Sequence, residues 1–408
     1  MATEIESDLD FTTDRDATLK LIDWFEIDRV RAAKIMVIGA GAIGNEVLKN
    51  LALLGIGNIY LFDRDTIEMS NLSRSILYRA SDAGKLKAET AARAIREINP
   101  SVNVIWRKSD IRFGVGLGLF RRMDVVIGCL DNRHARVATN RKCWKVDRPW
   151  IDAGIGVLNG QVAVFRPGES ACYECSFTTQ DYEQITRSCN QLASSLVKEG
   201  KIPTMPTMAS IVAAVQVQEA LKLLDLPKWE DRHLVSREFI FDGANAYVDI
   251  FRRQFNPACE AHSRIDPATI VELPERRADN TTAGQLLALA RERLGADAHL
   301  ELNFNIVVER RCPNPECRKT HRFLSPSDSV FQEQMQCECG HKGYHIETKN
   351  LGLEVNDYVE DFLDDRPLSK LGVPPLDILR AYGRGGRQIN FELTGDFRDF
   401  ERTELVET

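Results

Sequence analysis

The sequence predicts an α/β fold, in which a doubly wound, mostly parallel β-sheet is followed by a smaller α+β domain. From Lys34 onward, short and continuously apolar segments alternate with helical stretches, as expected for parallel strands that are buried on both faces. With 408 residues the chain is also too long for one ordinary hydrophobic core. We therefore expect two or three domains, the first of them built on the sheet.

The predicted strands and helices of the sheet domain follow one another in alternation. Strands are predicted at residues 34–38, 58–62, 102–106, 124–128, 149–154 and 161–165, and helices at 45–54, 83–98, around 117–122 and at 208–224. The segment 239–255 is predicted to return to the sheet as further strands.

Shifts in composition divide the chain into segments. We expect an N-terminal helical arm at 1–33, the sheet domain at 34–271, a polar linker at 272–282 and a C-terminal domain at 283–408. Within the sheet domain, residues 176–202 are polar and lack periodicity, which predicts a long crossover loop. Loops of this length in compact domains are usually functional.

The C-terminal domain has fewer clear signals. It is predicted to contain a helix at 283–294, a strand at 303–308, and a short helix followed by a strand near its end. The acidic stretch 354–365 is interpreted as the solvated face of a helix. The domain is a candidate interaction module.

The composition argues against several classes of protein. A net charge of −7 argues against nucleic acid as the main partner. The acidic N-terminal segment has no apolar core, so we expect no secretory signal and a cytoplasmic protein. The apolar stretch 208–224 contains Gln216 and Glu219, which favours a buried helix over a membrane span. In a reducing compartment, the ten cysteines favour metal or thiol chemistry over disulfides.

A glycine-rich turn follows the first strand and opens the first helix of the sheet. Gly39, Gly41 and Gly44 have the spacing GxGxxG, and Asp63 ends the next strand. Glycines allow the backbone to approach a phosphate, and the helix N-terminus supplies N–H donors. This fingerprint alone fits a dinucleotide as well as ATP, with Asp63 on the ribose in both cases.

Polar residues further along the chain favour one of these two ligands over the other. Asn71, Arg74 and Lys87 follow the second strand, and Asp131 follows the fourth. A dinucleotide dehydrogenase has no need of such a series. An enzyme that cleaves a triphosphate needs cations to balance the phosphate charge and a carboxylate to hold Mg²⁺. The series therefore favours ATP with Mg²⁺.

These motifs together resemble the family of ubiquitin-like activating enzymes and sulfur-carrier adenylyltransferases, of the ThiF/MoeB type. The resemblance covers about residues 15–262 and has six matching segments: GAGAIGNEVLKNLALLGIGNIYLFDRDTIEMSNLSR, GKLKAE, INPSV, CLDN, CYEC and PTMASIVAAVQVQEALKLL. It implies a Rossmann-like adenylation domain. The sequence departs from the family pattern at Ala42, where a glycine is usual, and at Ser75, where a glutamine is usual.

The resemblance also implies a role for each matching residue. Gly41 belongs to the phosphate turn and Asp63 binds the ribose; Asn71, Arg74 and Lys87 contact the phosphates, and Asp131 positions Mg²⁺ and the α-phosphate. Arg15 is in a register compatible with the arginine that the opposite protomer supplies in this family, so a homodimer is expected. A solvated surface arginine is the alternative interpretation of Arg15.

The implied reaction is adenylation of the C-terminal carboxylate of a small ubiquitin-like protein. That carboxylate is ionised at pH 7, so no general base is required. In the resembling enzymes a cysteine of the crossover accepts the acyl group, and Cys189 is the candidate here, before transfer to a conjugating enzyme. Two alternatives stay open: a sulfur-carrier adenylyltransferase that stops at the adenylate, and a catalytically silent scaffold. Cys129 and Cys143 are expected to be core residues.

Two sets of cysteines have spacings typical of structural zinc sites. The first set is CxxC followed by CxxH: Cys172, Cys175, Cys259 and His262. The family usually has a cysteine in place of His262. The second set is Cys312, Cys317, Cys337 and Cys339. Its CxC spacing is awkward for two ligands on one ion, so His321 or His341 is an alternative fourth ligand.

Overall fold

The computed structural model describes residues 10–182, 203–326, 337–341, 345–349 and 366–397. Its largest element is an eight-stranded sheet in the order β3-β2-β1-β4-β5-β6-β7-β8. The strands are β1 Lys34–Ile38, β2 Asn58–Asp63, β3 Asn103–Lys108, β4 Val125–Gly128, β5 Trp150–Ile155, β6 Asn159–Phe165, β7 Arg237–Asp242 and β8 Tyr247–Arg252.

The sheet has a parallel part and an antiparallel part, which meet at β5. Strands β3, β2, β1, β4 and β5 pair in parallel, and β6, β7 and β8 continue the sheet antiparallel from β5. This arrangement confirms the predicted doubly wound, mostly parallel sheet. It places the carboxyl ends of β1, β2 and β4 along one edge, where ligands bind in open α/β sheets.

Helices cover the sheet on both faces. They are α1 Ala17–Lys20, α2 Ile27–Ala32, α3 Ala42–Leu54, α4 Lys87–Ile98, α5 Leu117–Arg121, α6 Arg133–Lys145, α7 Pro206–Leu224 and, in the C-terminal part, α8 Ala283–Leu294. Alternate residues of β1 point to opposite faces, so Val37 packs in the core under α3, α4 and α7. Met36 packs in the second core with α5 and α6.

Three helices begin away from their predicted first residue, and one of them, α7, begins at Pro206, two residues earlier than predicted. Helix α3 begins at Ala42, because Gly41 serves as its N-cap. Helix α4 begins at Lys87, since a separate 3-10 turn at Ala80–Asp82 and Gly84, with φ of +85°, precede it. The left-handed φ of Gly84 interrupts the helical backbone that was predicted to begin at residue 83.

Helix α7 is long and apolar enough to cross a membrane, by length and composition alone. In the structure its apolar residues pack against the rest of the sheet domain. It lies against α3 and the sheet, and the Gln216 amide donates to the carbonyl oxygens of Gly128 (2.9 Å) and Ile151 (3.3 Å). The helix is a core element of the sheet domain.

Two smaller sheets form the C-terminal part. One has the order β10-β14-β15-β9, with β9 Ile270–Glu272, β10 His299–Glu301, β14 Ile378–Tyr382 and β15 Gln388–Glu392. The other has the order β12-β11-β13, with β11 Ile306–Arg311, β12 Thr320–Pro326 and β13 His345–Lys349. The predicted domain boundary at residue 271 falls inside β9, which pairs with β15.

The end of the C-terminal domain differs from its prediction. A short helix followed by one strand was expected, and this was wrong: the 3-10 turn Leu368–Leu371 is followed by two antiparallel strands, β14 and β15. Gly385 and Gly386, with φ of +72° and +76°, form the reversal between them. The predicted strand at 303–308 runs from Ile306 to Arg311 instead. The acidic stretch 354–365 lies outside the described residues.

Candidate functional site

The glycine turn lies at the carboxyl end of β1, and its three glycines have different reasons to be glycine. A Cβ on Gly39, whose φ is +99°, would lie 2.4 Å from the Cys129 carbonyl oxygen. A Cβ on Gly44 would lie 2.0 Å from the Gly39 carbonyl oxygen. A Cβ on Gly41 would meet no atom within 4 Å, so Gly41 faces open space. The first and third glycines are required by packing, and the second leaves the backbone accessible to a ligand.

The Asp63 carboxylate lies beside this turn at the end of β2. It accepts hydrogen bonds from the backbone N–H groups of Ala40 (2.6 Å) and Asp65 (2.8 Å). Burial raises its pKa, against the lowering effect of Lys87 and of these two N–H donors. Each carboxylate oxygen keeps a second lone pair, which a ribose hydroxyl is suited to use.

The predicted phosphate-binding cations lie on the elements that follow β2. Lys87 is the first residue of α4, and its Nζ lies 3.1 Å from the Asp65 carboxylate. Arg74 ends the 3-10 helix Met69–Arg74 and donates to the Ser70 carbonyl oxygen at 2.8 Å. The Asn71 side chain accepts from the Glu68 backbone N–H at 3.0 Å. Direct contacts thus join Lys87 to the Asp63–Asp65 segment, whereas Asn71 and Arg74 make their contacts within the 3-10 helix.

Asp131 lies on the turn between β4 and α6, exposed to solvent. Its carboxylate accepts from the Asn132 side chain at 3.0 Å, and Asn132 caps α6 by accepting from the Ala135 N–H. Beneath this turn, Arg136 donates to the carbonyl oxygens of Leu130 (2.9 Å) and Ala153 (2.7 Å). The carboxylate of Asp152 lies 3.2 Å from Nε of Arg136.

Four polar residues that support this site were not among the predicted site residues: Asn45, Tyr78, Arg136 and Asp152. Asp152 could have been predicted from the sequence, because an aspartate inside the apolar strand PWIDAG requires a buried partner. Asn45 and Tyr78 could not have been singled out in this way, since an asparagine in a helix and an aromatic residue in a loop are common in proteins. The Asn45 contact with Ala40 is local but depends on the exact shape of the turn, and the Tyr78 contact with Ala40 depends on tertiary structure.

Arg15 does not lie at the nucleotide site of its own chain. Its guanidinium donates to the carbonyl oxygen of Ile98 at 2.7 Å. Ile98 is the last residue of α4 and Lys87 is the first. At 1.5 Å per residue, the two ends of this helix are about 16 Å apart. Supply of Arg15 to an opposite protomer stays a prediction, and Cys189 lies outside the described residues.

Cys172, Cys175, Cys259 and His262 form the first predicted metal site, and their ligand atoms lie within 4.8 Å of one another. The Cys172 sulfur lies 3.6 Å from that of Cys259 and 3.7 Å from that of Cys175, and His262 Nε2 is 3.3 Å from the Cys175 sulfur. Zn–S bonds of about 2.3 Å in a tetrahedron give sulfur separations of about 3.8 Å. The donor set therefore fits Zn²⁺.

Stacked rings fix the histidine of this site. The His262 ring lies between Trp144, with centroids 4.3 Å apart, and Phe255, at 4.7 Å. The two ring stacks limit rotation of the imidazole and hold its Nε2 toward Cys175. This is how a histidine takes the fourth position, where the resembling family usually has a cysteine.

The second group consists of Cys312, Cys317, Cys337 and Cys339, again with all ligand atoms within 4.8 Å. The Cys312 sulfur lies 3.7 Å from that of Cys339, and the Cys317 sulfur lies 3.7 Å from that of Cys337. The CxC pair is therefore placed so that it could supply two ligands to one tetrahedral ion, and neither His321 nor His341 is needed as the fourth.

The remaining described cysteines lie outside these groups. Cys129 follows β4 under the glycine turn, and Cys143 is buried in α6. Burial raises the pKa of both thiols, which keeps them protonated at neutral pH. Neither is a good candidate nucleophile.

Comparison with known proteins places this arrangement in a family. Curated relatives include SUMO-activating enzyme subunit 2 of Dictyostelium discoideum, 42% identical over 149 residues that make up 36% of this chain and 22% of the relative. Another is ubiquitin-like modifier-activating enzyme 5 of Aedes aegypti, 29% identical over 260 residues, which cover 59% of this chain and 62% of the relative. The chain thus spans less than two thirds of the length of these relatives.

Solved structures show the same fold. Escherichia coli MccB with succinimide has a TM-score of 0.51 and 23% identity, over 61% of this chain and 74% of MccB. MccB with ATP has a TM-score of 0.51 and 22% identity, over 62% and 74%. The ThiF family model matches residues 13–261, which is more than half of the chain. This chain therefore belongs to the ThiF family.

Proposed function

We propose that this chain uses MgATP to adenylate the C-terminal carboxylate of a small ubiquitin-like protein. One observation carries the proposal: an open glycine turn, the Asp63 carboxylate and the Lys87 ammonium adjoin one another at the carboxyl edge of the parallel strands. The names of two relatives, a SUMO-activating subunit and a ubiquitin-like modifier-activating enzyme, support this substrate class.

The proposed reaction requires positioning and charge neutralisation. A carboxylate oxygen of the substrate attacks the α-phosphorus of ATP, the bond to the bridging oxygen breaks, and pyrophosphate leaves with that electron pair. Arg74 and Lys87 reduce the repulsion between the carboxylate and the phosphates. Asp131 is suited to hold the Mg²⁺ that accompanies ATP, which would neutralise further phosphate charge.

We further propose that the acyl group then moves to Cys189. Its thiolate would attack the carbonyl carbon of the adenylate, AMP would leave, and the resulting thioester would pass to a conjugating enzyme. The two cysteine groups are proposed to hold Zn²⁺ as structural ions, and the working protein to be a cytoplasmic homodimer. A sulfur-carrier adenylyltransferase would complete only the first step, so detection of the thioester separates the two functions.

Exchange of labelled pyrophosphate into ATP tests the adenylation step. The assay uses the full chain and a panel of small β-grasp proteins that have a free C-terminal carboxylate. Lys87→Ala is expected to lower exchange about 100-fold, as is typical when a charged group that stabilises the transition state is lost. Lys85→Ala is the matched control, because Lys85 is exposed and pairs with Asp82. Absence of exchange in the wild-type protein would contradict the proposal.

A non-reducing gel tests the thioester step. After incubation with ATP and the small protein, a thiol-sensitive adduct is expected for the wild type and for Cys143→Ala, whose thiol is buried. The adduct should be absent for Cys189→Ala. An adduct that persists in Cys189→Ala would show that another group accepts the acyl chain. Exchange without any adduct would favour the sulfur-carrier adenylyltransferase.

A further inference from the structure

Ala40 lies between the first two glycines of the turn, and both its N–H and its carbonyl oxygen make hydrogen bonds to side chains. Its N–H donates to the Asp63 carboxylate at 2.6 Å. Its carbonyl oxygen accepts two hydrogen bonds, from the Asn45 amide at 2.8 Å and from the Tyr78 hydroxyl at 2.6 Å. Both donors are buried, with exposed fractions of 0% for Asn45 and 4% for Tyr78. Ala40 therefore has little freedom to rotate.

The two hydrogen bonds to the Ala40 carbonyl also fix the direction of the Gly41 N–H. The Ala40 carbonyl and the Gly41 N–H belong to one planar peptide and point in opposite directions. Because Asn45 and Tyr78 hold the carbonyl toward the interior, the Gly41 N–H is directed to the open side of the turn. The space around Gly41 is also open, because a Cβ added there would meet no atom within 4 Å.

The same two side chains connect the turn to other parts of the site. The Asn45 side-chain oxygen accepts from the backbone N–H of Leu77 at 2.9 Å, three residues after Arg74. The Tyr78 oxygen also lies 3.3 Å from the carbonyl oxygen of Lys87. Burial raises the pKa of Tyr78, which keeps its hydroxyl proton available for donation. A single buried cluster thus contacts the turn, the segment after Arg74 and the start of α4.

We propose that Asn45 and Tyr78 are positioning residues that lock the Ala40–Gly41 peptide with its N–H toward the phosphates of bound ATP. This inference rests on the proposed function. Neither side chain reaches the open side of the turn, so both act through the backbone. Loss of either donor allows the peptide to rotate, which weakens the contact with phosphate and leaves the adenosine part of the site unchanged.

The affinities of the full chain for a non-hydrolysable ATP analogue and for adenosine test this inference. Tyr78→Phe removes only the hydroxyl, and Asn45→Ala removes the amide donors. Each is expected to weaken binding of the ATP analogue about tenfold, the effect of losing one charge-assisted hydrogen bond, and to leave adenosine binding within twofold. Tyr60→Phe is the matched control, because Tyr60 is equally buried but lies in the core on the other face of the sheet.

Unchanged affinity for the ATP analogue in both variants would overturn the inference. Equal weakening for the analogue and for adenosine would also overturn it, because it would show a general loss of structure. Melting temperatures of the variants identify that second case independently. If the wild-type protein bound neither compound, the proposed function itself would have failed, and the two failures are thereby distinguished.

Discussion

The carboxylate of Glu392, which is fully buried, accepts a hydrogen bond from Arg121 at 2.6 Å across the contact between the C-terminal sheet and the sheet domain. Arg122 pairs with the same carboxylate, and Arg121 also contacts Glu272, whose side chain is 55% exposed. In the same contact, the Asp377 carboxylate accepts from the Leu117 N–H at 2.9 Å. The C-terminal sheet is thus attached to the sheet domain through specific polar contacts.

Replacement of Glu392 should weaken this contact. Glu392→Gln removes the buried carboxylate that both partly buried arginines contact and leaves them only the exposed Glu272, so we expect a loss of about 3 kcal/mol in the free energy of unfolding. Glu272→Gln is the matched control and should cost less than about 1 kcal/mol, because its ion pair is at the surface. Urea unfolding measures both changes. Equal effects would show that Glu392 has no special role.

Metal analysis tests the two cysteine groups. Purified protein is expected to contain one zinc ion for each of the two groups. Cys259→Ala should remove one ion and lower the melting temperature, because binding of structural zinc contributes directly to folding free energy. Cys143→Ala should retain both ions. Wild-type protein that contains no zinc would contradict this prediction.

The buried carboxyl group of Asp152 predicts a pH dependence of stability. Burial raises the pKa of Asp152 from 3.8 to about 6, although Arg136 lowers it. Between these values the folded protein retains a proton that the unfolded chain has released, so this residue makes the protein less stable as the pH rises from about 4 to about 6. The effect reaches about 3 kcal/mol and stays constant above that range.

Asp152→Asn should therefore gain stability relative to the wild type as the pH rises from about 4 to about 7. Urea unfolding of both proteins at a series of pH values measures the difference. A stability difference that stays the same at every pH would show that the pKa of Asp152 is not raised in the folded protein.

Mixing of two inactive variants tests whether Arg15 acts on a second protomer. Arg15→Ala is expected to lower pyrophosphate exchange by about 10- to 100-fold, the effect of one charge-assisted contact. If the arginine crosses between protomers, a refolded mixture of Arg15→Ala and Lys87→Ala should regain part of the activity. One site of each mixed dimer would then have both residues. A mixture as inactive as its components would contradict this role, as would a monomeric wild-type protein.

Local patterns were sufficient to predict the sheet domain. Apolar strands and the GxGxxG spacing depend on neighbouring residues in the chain, and the predicted strand at 34–38 has the same limits in the structure. The hairpin of β14 and β15 was not predicted, although the adjacent glycines Gly385 and Gly386 are typical of a reversal between two strands. The segment that forms β14 was instead predicted to be a short helix, so only one strand was expected there. The cluster of Asn45 and Tyr78 could not be predicted, since the bonds that bring Tyr78 to Ala40 and Asn45 to Leu77 join residues 38 and 32 positions apart.

The two cysteine groups show what residue spacing can predict and what it cannot. CxxC and CxxH identified the first group, because ligand pairs on one turn have few possible separations. The CxC of Cys337 and Cys339 suggested a histidine ligand, yet the structure brings both thiols to one group. The pairing of β11 with β12 and β13 determines this convergence, and it depends on strand register that spacing does not reveal.

The fate of the oxygen atoms in the substrate carboxylate tests the central claim most directly. The small protein is prepared with heavy oxygen in its C-terminal carboxylate and incubated with ATP, Mg²⁺ and the full chain, and the nucleotide product is analysed by mass spectrometry. Attack of the carboxylate on the α-phosphorus predicts AMP that contains one heavy oxygen once the acyl group has been transferred. Formation of ADP, or of AMP whose new oxygen comes only from water, would contradict adenylation by this chain.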